Sequence, residues 1–162
     1  MKYATRIATI FLFVQPLLLS VPFIAVADMQ QMPPPEPYCQ WELKNFAIEE
    51  PLCGLKGDIE RGKAIATDGY RGNCVACHSL PVEGIEAFGT IGPPLGGIGK
   101  RLSQGMLRLR IVDTRSINPM SIMPGFYRDP ALTHRPAEGM AGRTFLTAQQ
   151  VEDVIAYMET LK

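Results

Sequence analysis

Cys74-Val75-Ala76-Cys77-His78 puts two thiols and an imidazole into five consecutive residues. Two cysteines at this spacing can add across the two vinyl groups of a porphyrin, and the histidine that follows is then held where it binds the iron from one face. The run reads as the attachment site of one covalent haem c, with Cys74 and Cys77 forming the thioethers and His78 an axial iron ligand. A dithiol exchange site and a zinc knuckle are the competing chemistries. The first belongs in a βαβ pattern and the second needs two further Cys or His residues at metal-ligand spacing; neither context surrounds the run. No residue reads as a nucleophile or an acid-base pair, so no catalytic residue is expected on this chain.

The compartment is read from residues 1–27. Lys2 and Arg6 make a positive start, Ile7 to Ile24 is nearly all apolar, and Ala25-Val26-Ala27 has the small-x-small form of a signal-peptidase site, which predicts cleavage before Asp28 and export to the periplasm. An uncleaved anchor is the alternative, as the apolar stretch is almost long enough to span a bilayer, but Pro16 and Pro22 interrupt it. No cysteine sits just after the apolar run to carry a lipid. Cleavage leaves 14 basic against 16 acidic groups, a formal charge of −2. So near-neutral a chain has neither the footprint of a nucleic-acid binder nor a general membrane-surface patch.

The mature 135 residues fit one domain of ordinary size, to whose core a haem would add much. Residues 28–56 form a lead-in. Pro33-Pro34-Pro35 and Pro37 make its first part extended or disordered, and Tyr38 to Cys53 is bounded by two cysteines. Cys39 and Cys53 remain once the haem has taken Cys74 and Cys77, and in an exported protein a disulfide is the default for such a pair. In the chain-entropy model a loop of this length is stabilised by about 3 kcal/mol. A second metal site on these cysteines finds no third ligand nearby.

Residues 57–162 are the domain proper. Asp58 is a good helix N-cap, and Ile59, Gly62, Lys63 and Ala66 recur at helical spacing until Asp68-Gly69. Gly62 costs about 1 kcal/mol relative to alanine in a helix interior, which implies a close backbone approach, with Tyr157 the candidate neighbour. Leu102 to Val112 reads as a helix packing on the core. Thr147 and Gln150 form a capping box ahead of the apolar stripe Val151, Val154, Ile155 and Met158.

A helix with an internal glycine, C-x-x-C-H, Gly92-Pro93-Pro94-Leu95, a methionine loop and a final helix with an aromatic resembles the class I cytochromes c over Gly57 to Lys162. The resemblance implies an all-α fold with helices wrapped around one covalently bound haem. It implies that Pro93 offers its carbonyl to His78, fixing the imidazole tautomer. It also implies a methionine as sixth iron ligand. Met29 and Met32 lie in the lead-in, while Met106 and Met158 lie on core helices, and these are structural by default. Among Met120, Met123 and Met140, Met123 best fits, because Pro124 and Phe126-Tyr127 follow it as in the family's ligand loop. Met120 and His134 stay open as alternatives, as does a vacant sixth position, although such a histidine is more often solvated.

Gly89 to Leu95, Leu107-Arg108-Leu109-Arg110, Asn118-Pro119 with Met123-Pro124, and Leu146-Thr147-Ala148 with Val151 to Tyr157 are together similar to the SoxX family, the monohaem subunits of SoxAX complexes. Met120 departs from that pattern, standing where an acidic residue is expected. The resemblance implies the redox subunit of a heterodimeric L-cysteine S-thiosulfotransferase. Its partners would be a SoxA-like cytochrome subunit, a SoxYZ-like carrier met through the complex, and a soluble cytochrome c acceptor, with the transfer chemistry on SoxA. A free-standing diffusible electron carrier would share every haem feature, and a small-molecule sensor would need a labile sixth site. Arg108 and Arg110 read as a solvated helix face, with a haem propionate or a partner surface as the sharper alternatives.

Overall fold

The computed structural model describes residues 35–162; the expected export signal and the proline run through Pro34 lie outside them. Among the described residues the regular structure is helical, with one isolated bridge between Lys44 and Ala47 and no strand. None of the helices there is long and apolar enough to cross a membrane.

The three longer helices each start where the sequence offers a side-chain cap. The Asp58 carboxylate accepts the Arg61 backbone N–H at 2.8 Å and opens α1 (Ile59–Thr67), satisfying a donor the helix leaves free. A single turn, α2 (Ile98–Arg101), precedes α3 (Gln104–Asp113), where Ser103 Oγ accepts from the Met106 N–H. α4 (Ala148–Thr160) begins with the capping box: Thr147 Oγ1 accepts the Gln150 N–H at 3.2 Å, and Gln150 Oε1 accepts the Thr147 N–H at 2.9 Å. Val151, Val154, Ile155 and Met158 are all buried, as their spacing requires.

Helices α1 and α4 cross at Gly62. A Cβ there would collide with the Asp153 carbonyl, and the Tyr157 Cβ would stand only 3.0 Å from it, so the two backbones touch. The internal glycine thus has the role its cost implied.

Two consecutive carboxylates on α4 face inward beside this crossing, Glu152 and Asp153, both nearly inaccessible to solvent. Each is paired, as a buried charge must be. Arg61 reaches Asp153 with Nε at 2.8 Å and Nη2 at 2.9 Å, while the Asp58 N–H and the Gln149 amide also donate to it. Arg108 grips Glu152 with Nε at 2.8 Å and Nη2 at 2.9 Å, and its Nη1 donates to the carbonyls of Ile48 and Glu49. The Leu52 N–H completes the Glu152 set. Arg108 is therefore neither a solvated residue nor a propionate ligand: with 1% of its surface exposed, it ties the cysteine-bounded segment to α3 and α4. Arg110 turns back on its own helix, donating to the Met106 carbonyl.

The Cys39–Cys53 disulfide closes that segment. Ile48 and Leu52 inside it belong to the same buried cluster as Leu109, Val112 and Ile155, so the segment contributes to the core.

Removing one partner of the buried fork leaves an uncompensated charge, and Arg108→Met is expected to cost about 3–5 kcal/mol in denaturant unfolding. Burial alone would raise the Asp153 carboxyl, but Arg61, Gln149 and the Asp58 N–H outweigh it and hold the group below the usual carboxylate range. A depressed folded pKa gives stability that is complete above the unfolded value of about 3.9 and is lost as pH falls through the folded value. Thermal melts from pH 7 to pH 3 should therefore show a shallower acid limb in Asp153→Asn, from a lower starting stability; an unchanged acid limb would contradict the pairing.

Candidate functional site

The chain turns tightly out of α1 into the C-x-x-C-H run. Gly72 N–H donates to the Ile65 carbonyl at 3.1 Å and Asn73 N–H to the Asp68 carbonyl at 3.0 Å. Cys74 to Ala76 then form one 3-10 turn, with His78 N–H donating to the Cys74 carbonyl at 2.9 Å. Cys74, Cys77 and His78 thus share one rigid turn, and both thiols are free and half-buried. Burial pushes the Cys74 thiol up to about 11, with Cys77 adding to the rise against a lowering backbone hydrogen bond.

The Gly-Pro-Pro-Leu loop is stitched onto this turn by main-chain bonds. Gly89 N–H donates to the Val75 carbonyl, Gly92 N–H to that of Cys77 and Leu95 N–H to that of Ser79, at 2.9, 2.7 and 2.9 Å. The Pro93 carbonyl oxygen lies 2.7 Å from His78 Nδ1. A carbonyl only accepts, so the proton sits on Nδ1 and Nε2 is left for a metal. A Cβ on Gly92 would overlap the His78 ring, and glycine is what lets the imidazole lie against the loop. Arg101 clamps the loop beyond Pro93, donating to the carbonyls of Gly96 at 2.7 Å and Pro94 at 3.1 Å. Sequence reasoning missed Arg101; a basic residue ending a one-turn helix carried no signal.

Met123 lies in a loop fastened at its far end. Phe126 and Tyr127 donate their N–H groups to the Ile111 and Val112 carbonyls at the end of α3, at 3.0 and 3.1 Å, and Arg128 pairs with Asp113 at 3.0 Å. Met123 is half-buried, whereas Met120 is 87% exposed and His134 is exposed. Met140 is half-buried beyond the turn Pro130–Leu132.

These residues fit a covalent haem on three counts. The donor set offers two thiols and an imidazole with its proton already directed away from Nε2. Ile91, in the loop stitched onto the turn, and Ile122, next to Met123 in the chain, are large apolar side chains left exposed, as expected beside a porphyrin site. The Tyr157 hydroxyl is buried without a hydrogen-bond partner among the described residues, and Cys74 is close enough to influence it electrostatically.

Gly92→Ala should drive the His78 ring off the loop. The expected outcome is a sharply reduced fraction of haem-loaded chain, read from the intact mass, with faster exchange of the His78 Nδ1 proton in what is loaded. Full loading with unchanged exchange would contradict the packing. Acid should not extract the group from the native chain, and Cys74→Ala or Cys77→Ala should weaken its retention.

The cytochrome c family model matches residues 59–162. The chain is 32% identical over 110 residues to a cytochrome c-553-like protein of Synechocystis sp., an alignment covering 68% of this chain and 75% of that protein. It is also similar in fold to a chain in the crystal structure of SoxXA from P. pantotrophus, with a TM-score of 0.67 and 36% identity, covering 75% of this chain and 94% of that one. With helices as the regular structure of the described residues and a C-x-x-C-H turn packed beside α1, the chain belongs to the cytochrome c family, as a SoxX-like class I monohaem cytochrome whose family implies covalently bound haem c.

Proposed function

We propose that this chain is the electron-transfer subunit of a periplasmic SoxAX-type complex. It would relay electrons from the oxidative coupling of thiosulfate to a carrier-protein cysteine, toward a soluble cytochrome c. The carrying observation is the likeness to SoxXA in sequence and fold over nearly the whole of the matched chain. The haem, when bound, supplies a one-electron couple. Cys74 and Cys77 would fasten it and His78 would bind its iron through Nε2, while the Pro93 carbonyl holds the His78 ring in register.

Met123 is the proposed sixth ligand. Its half-buried position in a fastened loop supports it over the exposed Met120 and His134. A thioether raises the reduction potential and fills the sixth position, which suits electron transfer and leaves no place for substrate. The thiosulfate chemistry then belongs to a SoxA-like partner and its SoxYZ-like carrier. Export by cleavage after Ala27 and the division into a lead-in, 28–56, and a haem domain, 57–162, are part of the same proposal.

Met123→Ala should abolish the methionine–iron charge-transfer band of the oxidised protein and lower the potential, while Met120→Ala should leave both. The reverse pattern would transfer the role to Met120. The native protein should co-elute with a second cytochrome, through an interface of standard stable size. Alone it should exchange electrons without modifying any cysteine; with the partner, thiosulfate-dependent modification should appear. Elution as a monomer at micromolar concentration, with no such partner retained, would favour a diffusible carrier.

A further inference from the structure

Tyr127 follows the Met123 loop closely, and its ring is covered by a residue from the cysteine-bounded segment. Tyr38 stacks on it with ring centroids 4.9 Å apart and an interplanar angle of 17°. The Tyr127 hydroxyl accepts the Cys39 backbone N–H at 2.7 Å, and the Tyr38 hydroxyl accepts the Trp41 indole N–H at the same distance. Cys39 is bonded to Cys53, and the neighbouring Leu52 N–H is fixed on the buried Glu152 carboxylate. Contacts therefore run without a break from α4, through the disulfide, to the loop that ends at Tyr127.

That loop has little order of its own. Between the turn Thr114–Ser116 and α4, the only helical element among the described residues is the short turn Pro130–Leu132. A connection of this length keeps one conformation only if tertiary contacts hold it.

We propose that the segment Tyr38 to Cys53 is a positioning strap for the Met123 loop: the Tyr38–Tyr127 stack, anchored by the Cys39–Cys53 bridge, holds the loop closed against α3. Tyr38 and Tyr127 are positioning residues, acting through the loop backbone. The inference rests on reading Met123 as the sixth ligand. An aromatic stack and a hydrogen bond of this kind each shift an open–closed equilibrium by up to about tenfold.

The test uses the exported, haem-loaded, full mature chain with imidazole as a competitor for the sixth position. Tyr38→Ala and the double variant Cys39→Ser/Cys53→Ser should lower the half-saturating imidazole concentration by about tenfold. In the same variants, amide exchange at Phe126 and Tyr127 should speed up. Tyr38→Phe, which keeps the ring and loses only the acceptor for Trp41, should stay close to the unaltered protein in both measurements. Should Tyr38→Ala not fold, Tyr127→Phe, which deletes the acceptor for the Cys39 N–H, should move both readings in the same direction.

Unchanged imidazole competition and unchanged exchange in a folded Tyr38→Ala or Tyr127→Phe protein would overturn the strap. The two readings fail separately. A charge-transfer band that survives Met123→Ala would remove the ligand assignment, yet amide exchange at Phe126 and Tyr127 would still decide whether the strap holds the loop.

Discussion

Two neighbouring carboxylates turned into the core, Glu152 and Asp153, make α4 the member to which the rest of the protein is tied. An ionised carboxylate is tolerated there only when its oxygens are taken up by donors. Asp153 takes Arg61 and the N-terminal backbone of α1; Glu152 takes Arg108 on α3 and the backbone of Leu52. Adjacent residues on one helix thus recruit three separate parts of the chain. Such pairs add little net stability over apolar packing, but they penalise any other arrangement, since sliding a helix would strand a charge. The Gly62 crossing needs that precision, because at a backbone-to-backbone contact there is no side chain to take up a shift.

The cofactor site inherits its placement from this frame and its fine geometry from loops. α1 ends just before the turn that carries Cys74 and Cys77, so the α1–α4 crossing decides where the thiols stand. The imidazole is then aimed by main-chain groups: three N–H bonds hold residues 89–95 to residues 75–79, and the Pro93 carbonyl fixes the ring. A backbone carbonyl is well suited to this task, having no protonation state near neutral pH and no rotamer to lose. Arg101 holds the outer side of the loop, so the group behind His78 is braced from both directions.

What was legible in the sequence was local. C-x-x-C-H, the Asp58 cap, the Thr147–Gln150 box and the stripe on α4 are all written within a few residues, and the physics they invoke acts over the same range. Gly62 was legible because a glycine inside a helix demands a reason. Arg108 was not. Leu107-Arg108-Leu109-Arg110 looks like charges on a solvated face, and the carboxylate that draws Arg108 inward lies 44 residues away with no mark in its neighbourhood. Nor did Tyr127 announce a partner: the residue whose N–H its hydroxyl accepts is 88 positions back. Among the methionines, spacing to Pro124 and the aromatics singled out Met123, but the fastening of its loop to α3 is a tertiary fact.

As proposed, this chain would present a closed, six-coordinate site for electron transfer and no open one for substrate. A crystal structure of the haem-loaded protein, with diffraction recorded at the iron absorption edge to locate the metal, tests this most directly. The predicted result is iron between His78 Nε2 and the Met123 sulfur, with thioether bonds to Cys74 and Cys77. Iron coordinated by water, by His134 or by Met120 on the side opposite His78 would contradict it.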